Sequence, residues 1–361
     1  MKACILSVVE PKHMVMISLY TRYFEANNIP YDLIYLDRYW NAEKGKANNV
    51  YNFKIKNSKI KKLLGYIRFY FFAKKILKNN SYDFIVVWNE YTASLFSKLL
   101  SKKYKNKYCI NVRDLFNEKS RLRNPKRMYP MLNKAISKSR FTTVSSNRYV
   151  ASLVPFNHYV FVHSINENIC PQPKQYVNTN KNPIVVMYIG KIGYVKEVKK
   201  MIDTLKNDER FFIKIIGIGS ETIAEYAKEI GCINIETVGM FESKQTEHFL
   251  QEADIIYNAY GDEGICERTA LSNKLYYAVC LNVPILVNEN TYMYELTKEC
   301  GIGFPVDKNG VYFNANQLYE WFVHLDRKTI NKRCESFIDD AKHSHIILKE
   351  ELDKIFINEQ H

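Results

Sequence analysis

Short apolar runs recur along the chain, separated by stretches whose apolar positions have helical spacing. In the first half they read KACILSVV, YDLIYL, YDFIVVW, KYCINVRD, RFTTVSS and YVFVHS, and a helical pattern, TASLFSKLLSKK, lies between the third and fourth. Such short runs, rich in β-branched and aromatic residues, predict strands buried on both faces. Helices between them supply the crossovers of a parallel sheet. The alternation lapses over residues 166–182, NENICPQPKQYVNTNKN, whose polar character and two prolines predict a linker. It restarts with PIVVMYIG, FFIKIIGIG, INIETVG, ADIIYNAY and VPILVN, five further strands. The pattern therefore predicts two α/β domains in tandem, 1–165 and 183–328, followed by a charged helical segment, 329–361.

The length of 361 residues agrees with two domains, since single cores stop growing at roughly 250–300 residues. No uninterrupted apolar run of about 18 residues occurs, so no membrane-spanning helix is expected. The start, MKACILSVVEPKH, reads as a first strand and not as a signal peptide. Eight scattered cysteines form no CxxC pair, so the expectation is reduced thiols in a cytoplasmic protein without a zinc site. The net charge of +14 is uneven. Residues 1–180 hold 31 Lys and Arg against 10 Asp and Glu, a net +21, whereas residues 181–361 hold 21 against 28, a net −7. One half is expected to face something anionic: a membrane surface, a lipid phosphate, an acidic glycan or nucleic acid.

Ligands of doubly wound sheets bind at the C-terminal strand edge, which directs attention to three loops. In YIGKIGYVKEVKKMIDTL, Gly190 and Gly193 keep a loop slim, and Lys191 and Lys196 flank the turn into a helix. That combination suits a diphosphate. In IIGIGSETIAEYAKEIG, Gly217 and Gly219 follow a strand and precede a helix, with Ile223 near the place of a third glycine. In ERTALSNKLYYAVCLNVPILVNE, Ser272 is placed to cap a helix whose first turn contains Asn273 and Lys274, with Glu267 and Arg268 ahead of it. A cation at the positive end of a helix dipole is unfavourable unless an anion sits there. The alternative is a Lys274 stem lying on apolar surface with its ammonium in water.

The order of these features, a G-[KR]-x4-K loop, GxG, a VG-x-F turn, an AD-I strand and NKLYYAVCLNVPILV, resembles the nucleotide-sugar-binding domain of GT-B glycosyltransferases. The likeness is to the GT4-like enzymes of bacterial surface polysaccharide synthesis, capsular or exopolysaccharide. It spans residues 183–307 and extends to 1–165 by architecture alone. It implies two Rossmann-like α/β domains facing across a cleft, the first taking the acceptor and the second the donor. It also implies that Lys191 and Lys196 hold the donor diphosphate, and that Gly217, Gly219, Met240 and Phe241 line the base pocket. Lys274 and Arg268 would offset charge on the leaving group. Where the family has Glu-x7-Glu, this chain has Thr269 and Tyr277, and Asn282 replaces the small residue before the strand. Glu263 or Glu267 would then take over the ribose contact. The family's histidine in the first half reads Arg113, in NVRDLFNEKSRLRN, with Asp114 and Glu118 the nearest carboxylates. Glu10 or Asp114 would serve as acceptor base, unless the donor phosphate takes the proton in a retaining reaction.

The implied substrate is a UDP- or GDP-sugar, with no further cofactor. The expected acceptor is a lipid-linked glycan, with Arg113 at the family's sugar-contacting position, and the cluster of Arg121, Arg123, Lys126 and Arg127 either meets its pyrophosphate or forms a solvated loop. The absence of Asp-x-Asp argues for metal-independent transfer, and the absence of Walker A argues against an NTPase. The basic segments contain no nucleic-acid-binding motif. SKIKKLLGYIRFYFFAKKILKNN places Lys61, Arg68 and Lys75 at seven-residue spacing, as on a helix lying on the anionic inner face of the cell membrane. The same stretch also fits a helix buried between the sheet and a neighbour. A nucleotide-sugar 2-epimerase and a non-catalytic donor-binding partner are the competing expectations.

Overall fold

The computed structural model describes residues 1–38, 45–55, 59–116, 125–166, 173–174 and 182–357. The first sheet contains β1 (Ala3–Ser7), β2 (Tyr31–Asp37), β3 (Asn49–Lys54), β4 (Phe84–Trp88), β5 (Tyr108–Val112), β6 (Phe141–Val144) and β7 (Tyr159–Phe161). Its helices are α1 (Ile17–Ala26), α2 (Lys59–Asn79), α3 (Glu90–Lys103) and α4 (Pro125–Ile136). All seven strands are parallel, in the order β3-β2-β1-β4-β5-β6-β7. Every residue of β1, β2, β4, β5 and β6 is buried, as the unbroken apolar runs require. Strand β3 was not expected from the sequence. It is a half-exposed edge strand, and Asn49 and Asn52 interrupt its apolar pattern.

The second sheet contains β8 (Ile184–Ile189), β9 (Phe211–Ile216), β10 (Ile235–Val238), β11 (Ile255–Tyr257), β12 (Ile285–Val287) and β13 (Gly303–Pro305). Between and after them come α5 (Val195–Leu205), α6 (Ser220–Glu229), α7 (Thr246–Glu252), α8 (Ile265–Thr269), α9 (Asn273–Leu281) and α10 (Tyr292–Glu299). A hairpin of β14 (Asp307–Lys308) and β15 (Val311–Tyr312) leads into α11 (Ala315–Val323) and α12 (Arg327–Phe356). The sheet order is β10-β9-β8-β11-β12-β13, again parallel. Strand β13 is a sixth strand beyond the five read from the sequence. Its GFP segment offers too little apolar pattern to be seen.

Each sheet reverses its strand order once, between β1 and β4 and between β8 and β11. Loops diverge there and leave a crevice at the C-terminal edge. The chain divides into two compact units, Met1–His163 with His343–His361, and Ser164–Lys342. Helix α12 belongs to both. Its early residues Ile330 and Cys334 are buried, and its last turns bring Leu348, Leu352, Ile355 and Phe356 into the core of the first unit. Phe356 lies 5.5 Å from Phe24 and 5.7 Å from Phe84, ring centre to ring centre, and the Tyr23 hydroxyl donates to Asp353 at 2.8 Å.

Candidate functional site

In the second unit, the loops after β8 and β9 touch backbone to backbone. Gly190 has φ +118° and Gly217 φ +131°. A Cβ on Gly217 would lie 2.1 Å from the Gly190 carbonyl oxygen, so no side chain fits there. Gly219, at φ +94°, is the N-cap of α6. At Gly193 the reason for glycine differs, because a Cβ there would meet nothing within 4 Å. Helix α5 starts beside these loops with no side-chain cap on its amides. Lys191 and Lys196 are both exposed. Neither ammonium forms a hydrogen bond or an ion pair among the described residues. The Tyr188 hydroxyl donates to the Lys191 carbonyl at 2.8 Å and fixes the loop.

Helix α9 begins as expected. Ser272 caps it, its hydroxyl accepting from the Lys274 amide at 3.2 Å. The far end explains Asn282. That residue is the C-cap at φ +55°, a left-handed position that asparagine tolerates. Lys274 is not the surface stem of the alternative reading, since it is only 7% exposed. Its ammonium donates to the Tyr260 hydroxyl at 3.1 Å and lies 4.5 Å from the Tyr188 ring centre and 5.4 Å from that of Tyr260. Tyr260 in turn shares a hydrogen bond with Ser272 at 3.1 Å and stacks on Tyr194 at 4.5 Å. Desolvation works against the charge, but the oxygens of Tyr260 and Tyr188 and the Tyr260 hydrogen bond outweigh it, so the Lys274 pKa is raised. Among the described residues no carboxylate pairs with this ammonium. A buried charge without a counter-ion costs several kcal/mol, and an ammonium has three donors to fill. The Tyr260 hydroxyl and the two rings are what hold the charge among the described residues.

Of the residues ahead of α9, Arg268 is exposed, and its guanidinium donates to the carbonyls of Asp262 at 2.9 Å and Glu263 at 3.2 Å. No contact among the described residues joins it to Lys274. Glu263 is exposed, and Glu267 folds against Gly264. The Thr269 hydroxyl is used by its own helix, on Ile265, and Tyr277 is near enough to bear on the Lys274 charge. Asn273 opens α9, half-buried. In the loop after β10, Met240 is exposed, as is Ile218 between the two glycines of the neighbouring loop. Phe241 packs edge-on against Phe249 at 5.3 Å.

In the first unit, Glu10 is buried and accepts from the Arg38 amide, while the Arg38 side chain donates to Val8 O at 3.2 Å and to the Tyr66 hydroxyl at 2.7 Å. Glu10 thus ties the β1 loop to the end of β2. A second carboxyl, Glu90, stands at the start of α3, directly after β4. It is 3% exposed and accepts from the Arg113 amide at 3.4 Å. Burial and then the nearby Asp114 raise its pKa to about 8. Asp114, one strand over, is exposed to solvent, so the upward push of desolvation on its pKa is weak there, and Arg113 and a Tyr149 hydrogen bond act against it. Burial therefore favours the protonated form of Glu90. The Arg113 guanidinium rests 5.9 Å over Trp88. Arg121, Arg123 and Glu118 lie outside the described residues, as does the side chain of Lys61. No group of three His, Cys, Asp or Glu among the described residues could hold a metal ion.

No protein-family model matches the sequence, and no curated protein matches it. Solved structures do. Sucrose-phosphate synthase from Thermosynechococcus elongatus superimposes with a TM-score of 0.71 at 10% identity, over 99% of each chain. HepE of Anabaena, solved in complex with UDP, gives 0.67 at 11% identity, over 98% of this chain and 100% of that one. WaaG, a glycosyltransferase of lipopolysaccharide biosynthesis, gives 0.60 at 12%, over 99% and 100%. The chain has the GT-B fold.

Within that fold, the described candidate site residues follow β8, β9, β10 and β11 in one unit, on the loops or in α5, α8 and the first turn of α9, and follow β1 and β5 in the other. The aromatic cage of Lys274 was not legible. Tyr188 and Tyr260 each end a strand run, YIG and NAY, and read there as apolar strand residues. Glu90 was missed because it follows YDFIVVW as one lone acid at a helix start. Its partner Asp114 is 24 positions away in the chain.

Proposed function

We propose that this protein transfers a sugar from a nucleotide-diphosphate donor, held by the second unit, to a glycan acceptor served by the first. The observation that carries the reading is the buried Lys274 ammonium, which has no carboxylate partner among the described residues and stands beside a capped helix start at the strand-order reversal. HepE, with the same fold, was solved with UDP, which supports a nucleoside diphosphate here. Lys191, Lys196 and Lys274 supply charge for the two phosphates, and the exposed Ile218 and Met240 offer an apolar face to a base. During transfer, negative charge grows on the departing diphosphate. Cations already in place stabilise that change without rearranging, and no metal is required. In a retaining reaction the leaving phosphate takes the acceptor proton. Otherwise a carboxylate of the first unit, Asp114 by the sequence expectation, would receive it.

Addition of UDP or GDP is expected to raise the melting temperature without added metal, with a stabilisation of about 2.7 kcal/mol at 100-fold excess over Kd. Absence of any shift, or its loss in EDTA, overturns the reading.

The acceptor reading is a lipid-linked glycan at an anionic membrane, in surface polysaccharide synthesis. Helix α2 supports it. Phe69, Ala73 and Leu77 pack inward, whereas Leu64, Ile67 and Phe71 are exposed on the same helical face as the exposed Arg68 and Lys75. Of the two expectations for this helix, one face fits each. No helix among the described residues is long and apolar enough to cross a membrane. The full chain is expected to sediment with phosphatidylglycerol liposomes at low salt, and R68E with K75E is expected to abolish this. Each basic side chain near the surface contributes about 1 kcal/mol. Wild-type protein remaining in the supernatant overturns the membrane part alone.

A further inference from the structure

We infer that the outer edge of the second sheet is a binding site for an acidic saccharide, separate from the Lys274 site. β13 is the last strand of its sheet, with β12 between it and β11. The Ile302 carbonyl accepts from the Ile285 amide at 2.8 Å, and the Val306 amide donates to the Val287 carbonyl at 2.9 Å. Backbone groups of alternate residues point to opposite sides of a strand, so Gly303 and Pro305 turn theirs to the open edge. A cavity of about 630 Å³ follows that edge. Helix α10 contributes Tyr294 and Lys298 to it, α11 contributes Gln317 and Trp321, and the hairpin contributes Lys308 and Asn309. Its size and its mix of aromatic surface with a few polar groups are those of a small-molecule site.

Three kinds of occupant fit poorly. An added strand needs a continuous ladder, and Pro305 has no N–H to give it. A second copy presents the same concave surface, which does not fill itself. A phosphate is held best by free amides at a helix N-terminus, but the starts of α10 and α11 are capped by the Thr291 and Asn314 side chains.

The groups that remain select an acidic sugar. Residues 181–361 carry a net charge of −7, yet two lysines and no carboxylate line this cavity. Both ammoniums are exposed, and among the described residues no carboxylate pairs with either. Lys298 lies 5.9 Å from the Tyr294 ring centre. Trp321 is half-buried, packed on Phe304 at 5.1 Å between ring centres. Gln317 Oε1 accepts from the Asn314 amide at 3.2 Å, which leaves Nε2 as a donor. The Asn309 amide nitrogen of the backbone donates to Glu289 at 2.9 Å, and its side chain has no partner among the described residues. An aromatic face is electron-rich and suits the apolar C–H face of a sugar ring. Side-chain amides pair with hydroxyls, and ammoniums with a carboxylate. A saccharide that bears carboxylates uses all three. The groove then holds a stretch of glycan outside the transfer site and keeps it on the protein between additions. That role rests on the transfer reading, whereas the binding does not.

Calorimetric titration of the full chain in dilute buffer tests this, with tetragalacturonate, its methyl ester, inorganic phosphate and UDP as probes. Wild type is expected to bind tetragalacturonate saturably and phosphate not at all. The methyl ester, and the double variant K298A with K308A, are each expected to lose about tenfold, the worth of two solvent-exposed charge contacts. Both lysines are exposed, so the double variant keeps its fold and its UDP affinity. Trp321 is one of three tryptophans, and tetragalacturonate is expected to change the fluorescence of wild type but not of W321Y, which keeps a ring on Phe304. Lack of saturable binding, equal binding of acid and ester, or a fluorescence change that persists in W321Y overturns the site. Displacement of tetragalacturonate by UDP overturns its separateness from the Lys274 site. Self-association of wild type that the double variant abolishes assigns the groove to a second copy and overturns the saccharide. If UDP does not bind while tetragalacturonate does, the donor reading fails and the groove stands.

Discussion

Lys274→Ala is expected to lower turnover about 10²–10³-fold, the usual cost of removing one preorganised group that faces charge developing in the transition state. The fall should lie mainly in kcat, since the diphosphate gains negative charge as the sugar leaves. Lys274→Arg should recover only part of it. A planar fork does not replace a point charge between the Tyr188 and Tyr260 rings. Ligand-free stability should fall, because the folded state raises the Lys274 pKa and the change removes a buried stem and its hydrogen bond to Tyr260. Steady-state kinetics of the folded variant, beside its denaturation curve, check both. A fall in kcat of less than about threefold would reject the phosphate role, given the range above.

Gly217→Ala is expected to be the most damaging small substitution in the second unit. Its Cβ would lie 2.1 Å from the Gly190 carbonyl oxygen, and the residue would be held at φ +131°. Either the two loops part or the backbone is strained, at a cost on the order of 2–4 kcal/mol. Parting the loops also moves the Lys191 segment, so nucleoside diphosphate affinity should fall with stability. Gly193→Ala is the control, because nothing lies within 4 Å of its Cβ direction. It should change stability by no more than about 0.5 kcal/mol. Denaturant unfolding of the two variants together decides, and similar midpoints would show that the loops do not depend on this contact.

What the sequence made legible was whatever one local pattern carries. Buried parallel strands write themselves as unbroken apolar runs, and so β1, β4, β8 and β12 were plain. The Ser272 cap was plain as well. Strands that are exposed or very short, β3 and β13, leave no such pattern. At the candidate site, the lysine was visible because it contradicts the helix dipole. Its cage was not, because Tyr188, Tyr260 and Lys274 come from two strand ends and a helix that the fold alone brings together. Glu10 shows the reverse error of attention, a carboxylate conspicuous after β1 whose place is to hold Arg38.

Helix α12 gives the molecule an order of assembly. The second unit is contiguous, Ser164–Lys342, whereas the first needs residues from His343 onward. On the ribosome, the N-terminal sheet emerges early but lacks the aromatic and aliphatic side chains that cover Tyr23, Phe24 and Phe84. Its apolar surface stays open while the whole second unit is synthesised. At about 5–20 residues per second, that interval spans roughly ten to forty seconds. The half of the protein that is made first is the half that finishes last, and throughout that interval it depends on whatever shields nascent chains from one another.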